Sequence, residues 1–468
     1  MYMRKNFTKR KILFVFILLI LISSQLCALS LDKAITTAVQ NNKSYRAQNY
    51  NYQQYKWNEK NAITNFLPKI NLNATAVRID NNTYEEAKAT MRLKVYDAFE
   101  NPTSDYVPIS AGVMAGGVYK TTYMTDLTIQ QPIFNGGKLF LGYQIAKLST
   151  KQALQNLSSS QNDLEYNVAD SYLNILKIQD IIKIAKKSLA SSQAQLKKVN
   201  EKFNVGVVKK SDVLQWEVKV ENDRIALEEL KNGLSVLKTF WFNILGLTSL
   251  SEAAMPDRID LTSYDNEITL LHTISEVTKF DTLSYVLSIV KAENPDLKSL
   301  AFSERIAKTS QKLAIGNFLP SLNLQYTRTF DQDDKLNFNG AKSWNIAAVF
   351  SIPIFHFGTN ITNLKKSNFQ YKSTRLQLED AREKILMAAE NSVYNLITKA
   401  KRVISGKLAY ENAKENYSIV NDLFDQGMVT NTELMDAEIM LFGSELNLQT
   451  SYYDFVLAKY ALEKYTNQ

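Results

Sequence analysis

The stretch "ITNFLPKINL" (residues 63–72) occurs a second time in this chain as "IGNFLPSLNL" (residues 315–324), with seven of the ten positions identical. Each copy has a helix-compatible segment before the proline and alternating apolar and polar residues after it. Proline disfavours helix at the preceding residue and is tolerated at the first position of a strand. The stretch therefore predicts a junction between a helix and a strand, present twice.

A second proline motif extends the repeat. "IQQPIFNGGK" (129–138) aligns with "FSIPIFHFGT" (350–359), and the alignment then continues without a gap towards the end of the chain. The chain is therefore an internal duplication with the boundaries 29–249 and 283–468. Residues 250–282 separate the copies, as a linker or as an equatorial segment that forms a belt around the middle of the helical part. The first copy carries extra residues, which we predict to form a long polar loop at about 80–118.

Long helices follow from the distribution of proline, which is excluded from helix interiors. None of the eight prolines falls in four long segments, which we predict to be helices: 138–203, 212–245, 359–424 and 433–466. Apolar residues recur every seven positions in the first segment, as in a coiled coil: Val168, Ile175, Ile182, Leu189, Leu196 and Phe203. The leading segments 31–64 and 283–316 are interrupted near Asn42 and Asn294, which predicts two shorter helices end to end.

Two short alternating stretches in each copy predict four strands per chain. Period-two alternation over about ten residues is typical of outer-membrane strands, although a soluble half-buried sheet produces the same pattern. Four strands do not close a barrel, and an open edge in lipid leaves backbone groups unpaired. If the strands are in a membrane, the protein must therefore oligomerise.

The residues at the predicted helix–strand junctions are prolines and phenylalanines, and the phenylalanines would lie in an interfacial aromatic belt. They are Phe66, Pro68, Pro132, Phe134, Phe318, Pro320, Pro353 and Phe355.

The N-terminus has the order of an export signal, with five basic residues, the apolar run Ile12–Ile22 and then "SSQLCALS". We predict a signal peptide at 1–28, with a retained amphipathic anchor as the alternative. Removing it lowers the formal net charge from +8 to +3, so nothing argues for a nucleic-acid partner. The only cysteine, Cys27, lies at the predicted cleavage region. An alternative is therefore that Cys27 becomes the first residue of the mature chain and carries a lipid.

Taken in order, these motifs resemble the TolC-like outer-membrane efflux family. The resemblance rests on "LDKAITTAVQNNK" with "NFLPKINL", on "QPIFNGGK", and on "KFNVGVVKKSDVLQWEV" (202–218) with its second-copy equivalent "LFDQGMVTNTELMDAEIML" (423–441). It implies a homotrimer whose twelve strands form one outer-membrane β-barrel, continuing into a periplasmic coiled-coil helical tunnel. It also implies contact with outer-membrane lipid, a periplasmic adaptor protein and an inner-membrane transporter.

The turns between the long and returning helices would form the periplasmic tip, where the resemblance places adaptor docking. Its predicted residues are Phe203, Gly206, Ser211, Gly427 and Thr432. The two glycines suit a helix end that needs positive φ, and Ser211 and Thr432 suit the N-cap of the next helix.

In the family, acids after the second-copy glycine line the tunnel constriction. Here they are Glu433 and Asp436, with Asp212 as the first-copy equivalent of Glu433. The alternative is that these acids only stabilise a helix N-terminus. The family's gating arginine and tyrosine are replaced by Val429 and Phe424, which favours an apolar closure instead of a polar latch.

An enzyme is not expected, because the sequence has two histidines in unrelated contexts, no phosphate-binding glycine loop and no metal-ligand cluster. We also predict no cofactor and no metal. The expected function is the exit duct of a tripartite efflux pump for small molecules. Two alternatives remain: an exit duct for type I protein secretion, and a pore-less structural coiled-coil surface protein.

Overall fold

The computed structural model describes residues 29–88, 90–110, 119–247, 254–274, 276–330 and 341–466. The predicted signal peptide and Cys27 lie outside these residues. The described part of the chain is mainly helical, and no helix in it is both long and apolar enough to cross a membrane.

Among the described residues, the first copy contains five helices and four strands. In chain order they are α1 (Leu31–Asn41), α2 (Lys43–Thr64), β1 (Lys69–Arg78), α3 (Asn81–Lys88), β2 (Thr90–Tyr96), β3 (Pro102–Ser110), β4 (Thr121–Asn135), α4 (Lys138–Asn204) and α5 (Lys210–Leu245). The helical interruption predicted near Asn42 separates α1 from α2. There the Asn42 side chain accepts a hydrogen bond from the Tyr45 N–H (3.0 Å) and donates to the Ile244 carbonyl (2.9 Å).

The second copy follows the same order without the insertion. Its elements are α7 (Glu276–Glu293), α8 (Pro295–Ile315), β5 (Ser321–Phe330), β6 (Ala341–Ser351), α9 (Thr359–Asp425) and α10 (Asn431–Thr466), and the segment before it contains α6 (Asp265–His272). Helices α4 and α9 have 67 residues each, and α5 and α10 have 36 each. All four begin and end within two residues of the predicted positions.

The insertion is more ordered than the predicted loop at 80–118. Helix α3 and the antiparallel pair β2–β3 lie inside it, with Leu93 opposite Val107. In the turn between the strands, Asp97 accepts hydrogen bonds from the N–H groups of Phe99 (2.8 Å) and Asn101 (2.9 Å). The loop prediction was therefore wrong for these residues, while 89 and 111–118 lie outside the described ranges.

The segment predicted as a linker (250–282) also contains regular structure. It includes a 3-10 turn (Leu261–Tyr264), α6 and the start of α7, so the second copy's leading helix begins upstream of residue 283. Ile268 is fully buried in the main core, and the Tyr452 hydroxyl donates to the Asp265 carboxylate (2.7 Å). Lys459 pairs with Glu267 (2.9 Å). This segment is therefore packed against the helices and is not an extended linker.

The described residues divide into two compact units, and each unit combines segments of both copies. Among the described residues, the helical unit draws on the ranges 29–54, 151–302 and 376–466, and the other unit on Tyr55–Thr150 and Ser303–Arg375. The main core of the helical unit contains the buried heptad residues Val168 and Ile175 of α4. The second unit contains both sheets.

Candidate functional site

The larger sheet has the strand order β1-β4-β5-β6, and every neighbouring pair is antiparallel. The register aligns Ile70, Ile129, Tyr326 and Ile346 in one row across all four strands. In this chain the outer members of the row are strongly exposed, Ile70 by 64% and Ile346 by 61%. This row is therefore apolar and exposed at both edges, although Arg328 lies on the same face in the adjacent row. The exposed apolar members mark a surface for lipid or a partner.

The opposite face of the sheet is polar. A second row contains Asn71, Thr128, Thr327 and Asn345. The neighbouring Asp126 accepts hydrogen bonds from the side chains of Asn73 (2.9 Å) and Thr128 (3.0 Å). The predicted alternation is therefore present, with one apolar face and one hydrogen-bonded polar face.

The two edge strands of this sheet are β1 and β6. Among the described residues, β1 pairs only with β4 and β6 only with β5. Each edge therefore presents a row of backbone groups without a strand partner in this chain, and such edges are templates for pairing with another chain.

The junction prolines divide into two groups. Pro68 and Pro320 each stand one residue before a strand, as predicted, and Phe66 and Phe318 precede them. Pro353 and Phe355 follow β6, and the Phe355 ring is 70% exposed.

Pro132, by contrast, lies inside β4 together with Phe134, so its predicted place at a strand end was wrong. The β4–β5 register shifts between Pro132 and Phe134. Such a bulge is a position where a strand tolerates proline, since no ladder hydrogen bond from its nitrogen is needed.

At the tip turns, the predicted glycines have the expected conformation. Gly206 has φ +80° and Gly427 has φ +75°. The Gly206 N–H donates to the Phe203 carbonyl (2.9 Å), and the Gly427 N–H donates to the Phe424 carbonyl (3.1 Å). A side chain at these positions would strain the left-handed backbone, which glycine adopts freely.

The predicted N-caps were wrong by two residues, because α5 and α10 begin earlier than expected. Ser211 and Thr432 lie within the first helical turn, and the cap positions are Lys209 and Thr430. The Thr430 hydroxyl accepts from the Glu433 N–H (3.3 Å), and the Glu433 carboxylate accepts from the Thr430 N–H (2.6 Å). This reciprocal pair is a capping box.

Glu433 and Asp436 are both exposed on one face of α10. Hydrogen bonds from Thr430 lower the pKa of the Glu433 carboxyl below its usual value. In the first copy, the Asp212 carboxylate accepts from the Lys209 N–H (3.0 Å). Helix capping is therefore present for Glu433 and Asp212, whereas Asp436 lies on the exposed face without a hydrogen bond or ion pair to any described residue.

Phe424 is buried within the chain, where it is 4% exposed. It belongs to an apolar group, here called the tip cluster, with Val429 packed against its edge. The buried members of the tip cluster are Val199, Val213, Trp216, Phe424 and Leu434. Within this chain the Phe424 ring packs between the two helical hairpins, and the apolar closure around Phe424 and Val429 stays a prediction.

Trp216 and Asn431 are the tip residues that the sequence interpretation missed. The Trp216 indole N–H donates to the Asn431 side chain (2.6 Å), which in turn donates to Gln215 (2.9 Å). Trp216 aligns with buried Ala437 in the second copy. This pairing of a large with a small residue at equivalent helix positions was the sequence feature that could have identified Trp216 as a packing residue of the tip. Lys202 adds a bond to the Phe424 carbonyl (2.8 Å) and lies over the Phe424 ring.

The family model described as "Outer membrane efflux protein" matches residues 34–235 and 286–468, which covers both copies. The chain belongs to the outer membrane efflux protein family. The two matched ranges bracket the linker and so follow the internal duplication.

Individual relatives are distant but extend over most of the chain. The Outer membrane efflux protein BepC of Brucella suis is 19% identical over 84% of this chain and 81% of its own length. The Alkaline protease secretion protein AprF of Pseudomonas aeruginosa is 20% identical over 72% of this chain and 68% of its own length. Among solved structures, the CmeC outer membrane channel of Campylobacter jejuni has a TM-score of 0.73 at 17% identity, covering 93% of this chain and 85% of that one.

Family membership places this protein in the outer membrane, and it is an efflux channel component with a coiled-coil helical part. The expected TolC-like resemblance is thereby confirmed. The four-stranded sheet supplies the strand-bearing part of such a protein, and the long helix pairs supply the coiled-coil part.

Proposed function

We propose that this protein is the exit duct of a tripartite efflux pump, through which small molecules from an inner-membrane transporter reach the exterior. The observation that carries the proposal is the four-stranded sheet with one apolar face and two open edges. An isolated chain would leave these edges unpaired in lipid, where each unsatisfied backbone group costs several kcal/mol.

In this proposal three copies pair edge to edge, β1 of one chain with β6 of the next, and close a barrel of twelve strands. Even strand numbers of eight or more are usual in bacterial outer-membrane barrels. The polar row with Asn71 and Asn345 would line the water-filled interior, and the apolar row with Ile70 and Ile346 would face lipid. The helices would continue the passage as a periplasmic tunnel.

The tips at 205–209 and 426–430 would form the periplasmic end, where we place the constriction and the docking of an adaptor protein. The Phe203 ring, 36% exposed, and exposed Ser211 and Thr432 supply surface for that contact. Exposed Glu433 and Asp436 supply the carboxylates of the constriction.

A second candidate is the exit duct of a type I protein secretion system. It is favoured by the similarity to AprF, whose name describes alkaline protease secretion. Both functions use the same kind of channel, since the transporter selects the cargo.

The experiment has two parts. Purified protein in a planar bilayer should give discrete ion-conducting steps, and a flat current would contradict the duct. Deleting the gene should then raise sensitivity to toxic small molecules with an unchanged set of secreted proteins. Loss of a secreted protein with unchanged sensitivity would select the secretion alternative.

A further inference from the structure

A cavity of about 320 Å³ lies between α4, α5 and α10 in the helical unit. Its walls are largely apolar and include Ile184, Leu230, Ile439, Phe442 and Leu446. Three ionisable side chains also reach it, and they are Lys219, Asp223 and Glu438. Ligand pockets commonly combine apolar walls with a few polar groups that fix orientation.

Two of the three ionisable side chains satisfy each other. The Lys219 ammonium donates to both oxygens of the Asp223 carboxylate, at 2.6 and 2.7 Å. The Ser188 hydroxyl adds a third, longer bond to Asp223 (3.3 Å). This pair has no net charge and leaves Glu438 as the group whose hydrogen bonding is incomplete.

Glu438 is fully buried, and neither of its carboxylate oxygens has a hydrogen-bond partner among the described residues. A buried carboxylate without a partner is costly, so it either takes up a proton or waits for a donor from outside the chain. The equivalent residue of the first copy, Glu217, is exposed on α5. Burial of this carboxylate is therefore not a requirement of the repeated fold.

The chemistry of the cavity indicates which class of molecule could donate hydrogen bonds to Glu438. A bound metal ion needs several protein ligands, and the described residues contain no group of three that would hold one. A strongly hydrated ion also gains nothing from apolar walls. An organic cation with an apolar group could pair with the Glu438 carboxylate and also pack its apolar group against the apolar walls.

We propose that this cavity binds a small lipophilic ammonium ion. Its N–H groups donate to the Glu438 carboxylate, and its apolar body packs between Ile184 of α4, Leu230 of α5 and Phe442 of α10. This is a ligand site in the wall of the helical unit, and it does not depend on the proposed duct function.

Binding at this site is linked to protons. Burial raises the pKa of Glu438 to about 7, and Asp223 adds to the rise. The Lys219 ammonium opposes it, as does the nearby Ser191 hydroxyl, which does not meet the geometry of a hydrogen bond to either Glu438 oxygen. The charged side chains of the described residues that act on Glu438 are thus Lys219 and Asp223, both on α5. Because the ligand pairs with the ionised form, binding near pH 7 should release about half a proton per site.

The test uses full-length protein in nanodiscs, with empty nanodiscs subtracted, and 4-phenylbutylammonium as the probe. Its neutral counterpart is 4-phenyl-1-butanol, which has the same apolar body without the charge. Equilibrium dialysis should show an affinity for the amine that falls about tenfold per pH unit below about pH 7 and levels off above it. Calorimetry in two buffers of different ionisation enthalpy should show the proton release.

Two matched variants complete the design. Glu438→Gln should weaken amine binding at least about tenfold, abolish the proton release and leave binding of the alcohol unchanged. Glu217→Gln removes the equivalent exposed carboxylate and should change neither quantity. The proposal is overturned if the wild type does not bind the amine, if the alcohol binds as tightly, or if Glu438→Gln retains wild-type affinity.

Discussion

At the scale of single residues, Glu438 makes stability depend on pH. Its folded-state pKa of about 7 lies above the ordinary value of 4.5, so the folded form holds the proton more tightly than the unfolded one. The contribution of Glu438 protonation to the free energy of unfolding is fully present below about pH 4.5 and is lost as pH rises through about 7. At about 1.4 kcal/mol per pKa unit, this loss amounts to about 3 kcal/mol per chain.

We therefore expect Glu438→Gln to unfold at a higher denaturant concentration than the wild type above about pH 7, with the difference shrinking as pH falls towards 5. The measurement is a denaturant titration at several pH values, with Glu217→Gln as the control because Glu217 is exposed in the equivalent position. If the stability of Glu438→Gln and of the wild type depended equally on pH, the conclusion that burial raises the pKa of Glu438 would be contradicted.

The exposed carboxylates of α10 lead to a second prediction at this scale. If three copies converge at the tip, Glu433 and Asp436 together supply six carboxylates to one narrow ring, which attracts cations. Replacing both with their amides, Glu433→Gln and Asp436→Asn, should weaken block by multivalent cations from the periplasmic side by at least tenfold. Bilayer recordings give the blocking concentration.

The amide variant retains side-chain size and an oxygen acceptor for the Thr430 N–H, so the helix cap is largely conserved. Glu217→Gln is the control, since it removes an exposed carboxylate of α5 that is not among the predicted constriction residues. Unchanged block and selectivity in the double variant would leave Glu433 as a capping residue only.

At the scale of elements, the long helices could be predicted from the sequence because proline and the heptad repeat act over dozens of residues. The ends were less predictable, since the true caps, Lys209 and Thr430, are set by turn geometry. Pro132 was misplaced because a bulge accommodates it within β4. The pair β2–β3 was missed because Pro102 and Pro108 lie in β3, which is tolerated in a two-stranded sheet where each strand has an open edge.

The candidate site shows the same division. The apolar and polar rows of the sheet could be predicted, because they follow from alternation within each strand. The burial of Phe424 and the Trp216–Asn431 bond could not, since both depend on contacts between segments more than 200 residues apart. The isolated carboxylate of Glu438 likewise depends on three helices meeting around it.

The insertion with α3, β2 and β3 gives a prediction for this scale. It joins β1 to β4 at the strand ends remote from α2 and α4, so we expect residues 80–118 to face the cell exterior. Protease added to intact cells should cut in this range and spare 138–245. Broken cells, in which the periplasmic side is accessible, serve as the control. Cleavage of intact cells confined to the long helices would reverse the topology.

At the scale of the whole molecule, the central claim is that the sheet is completed by other copies of the same chain. The strongly exposed Ile70 and Ile346 belong to the two edge strands. Closing these edges pairs the backbone groups that β1 and β6 leave open, and the barrel would then present only the apolar face to lipid. The helices also leave apolar side chains exposed in this chain, among them Val218 (61%), Phe240 (61%) and Phe280 (68%).

The most direct measurement is cysteine cross-linking between edge strands in isolated outer membranes. One cysteine replaces Asn345 on β6, and the other replaces Asn71, Asn73 or Thr75 on β1. The three β1 positions test three possible strand registers between neighbouring copies. Neighbouring strands lie about 4.8 Å apart, within reach of a short bismaleimide. Controls are the wild-type chain and the pair Thr128→Cys and Thr327→Cys, which are register partners inside one chain.

We predict that at least one edge pair yields covalent dimers and trimers on a denaturing gel, with no larger species, whereas the Thr128/Thr327 pair yields only monomer. A ladder that stops at three copies is expected from a closed ring of three. Monomer alone from every edge pair, in membranes where the Thr128/Thr327 pair reacts fully within one chain, would contradict the trimeric barrel.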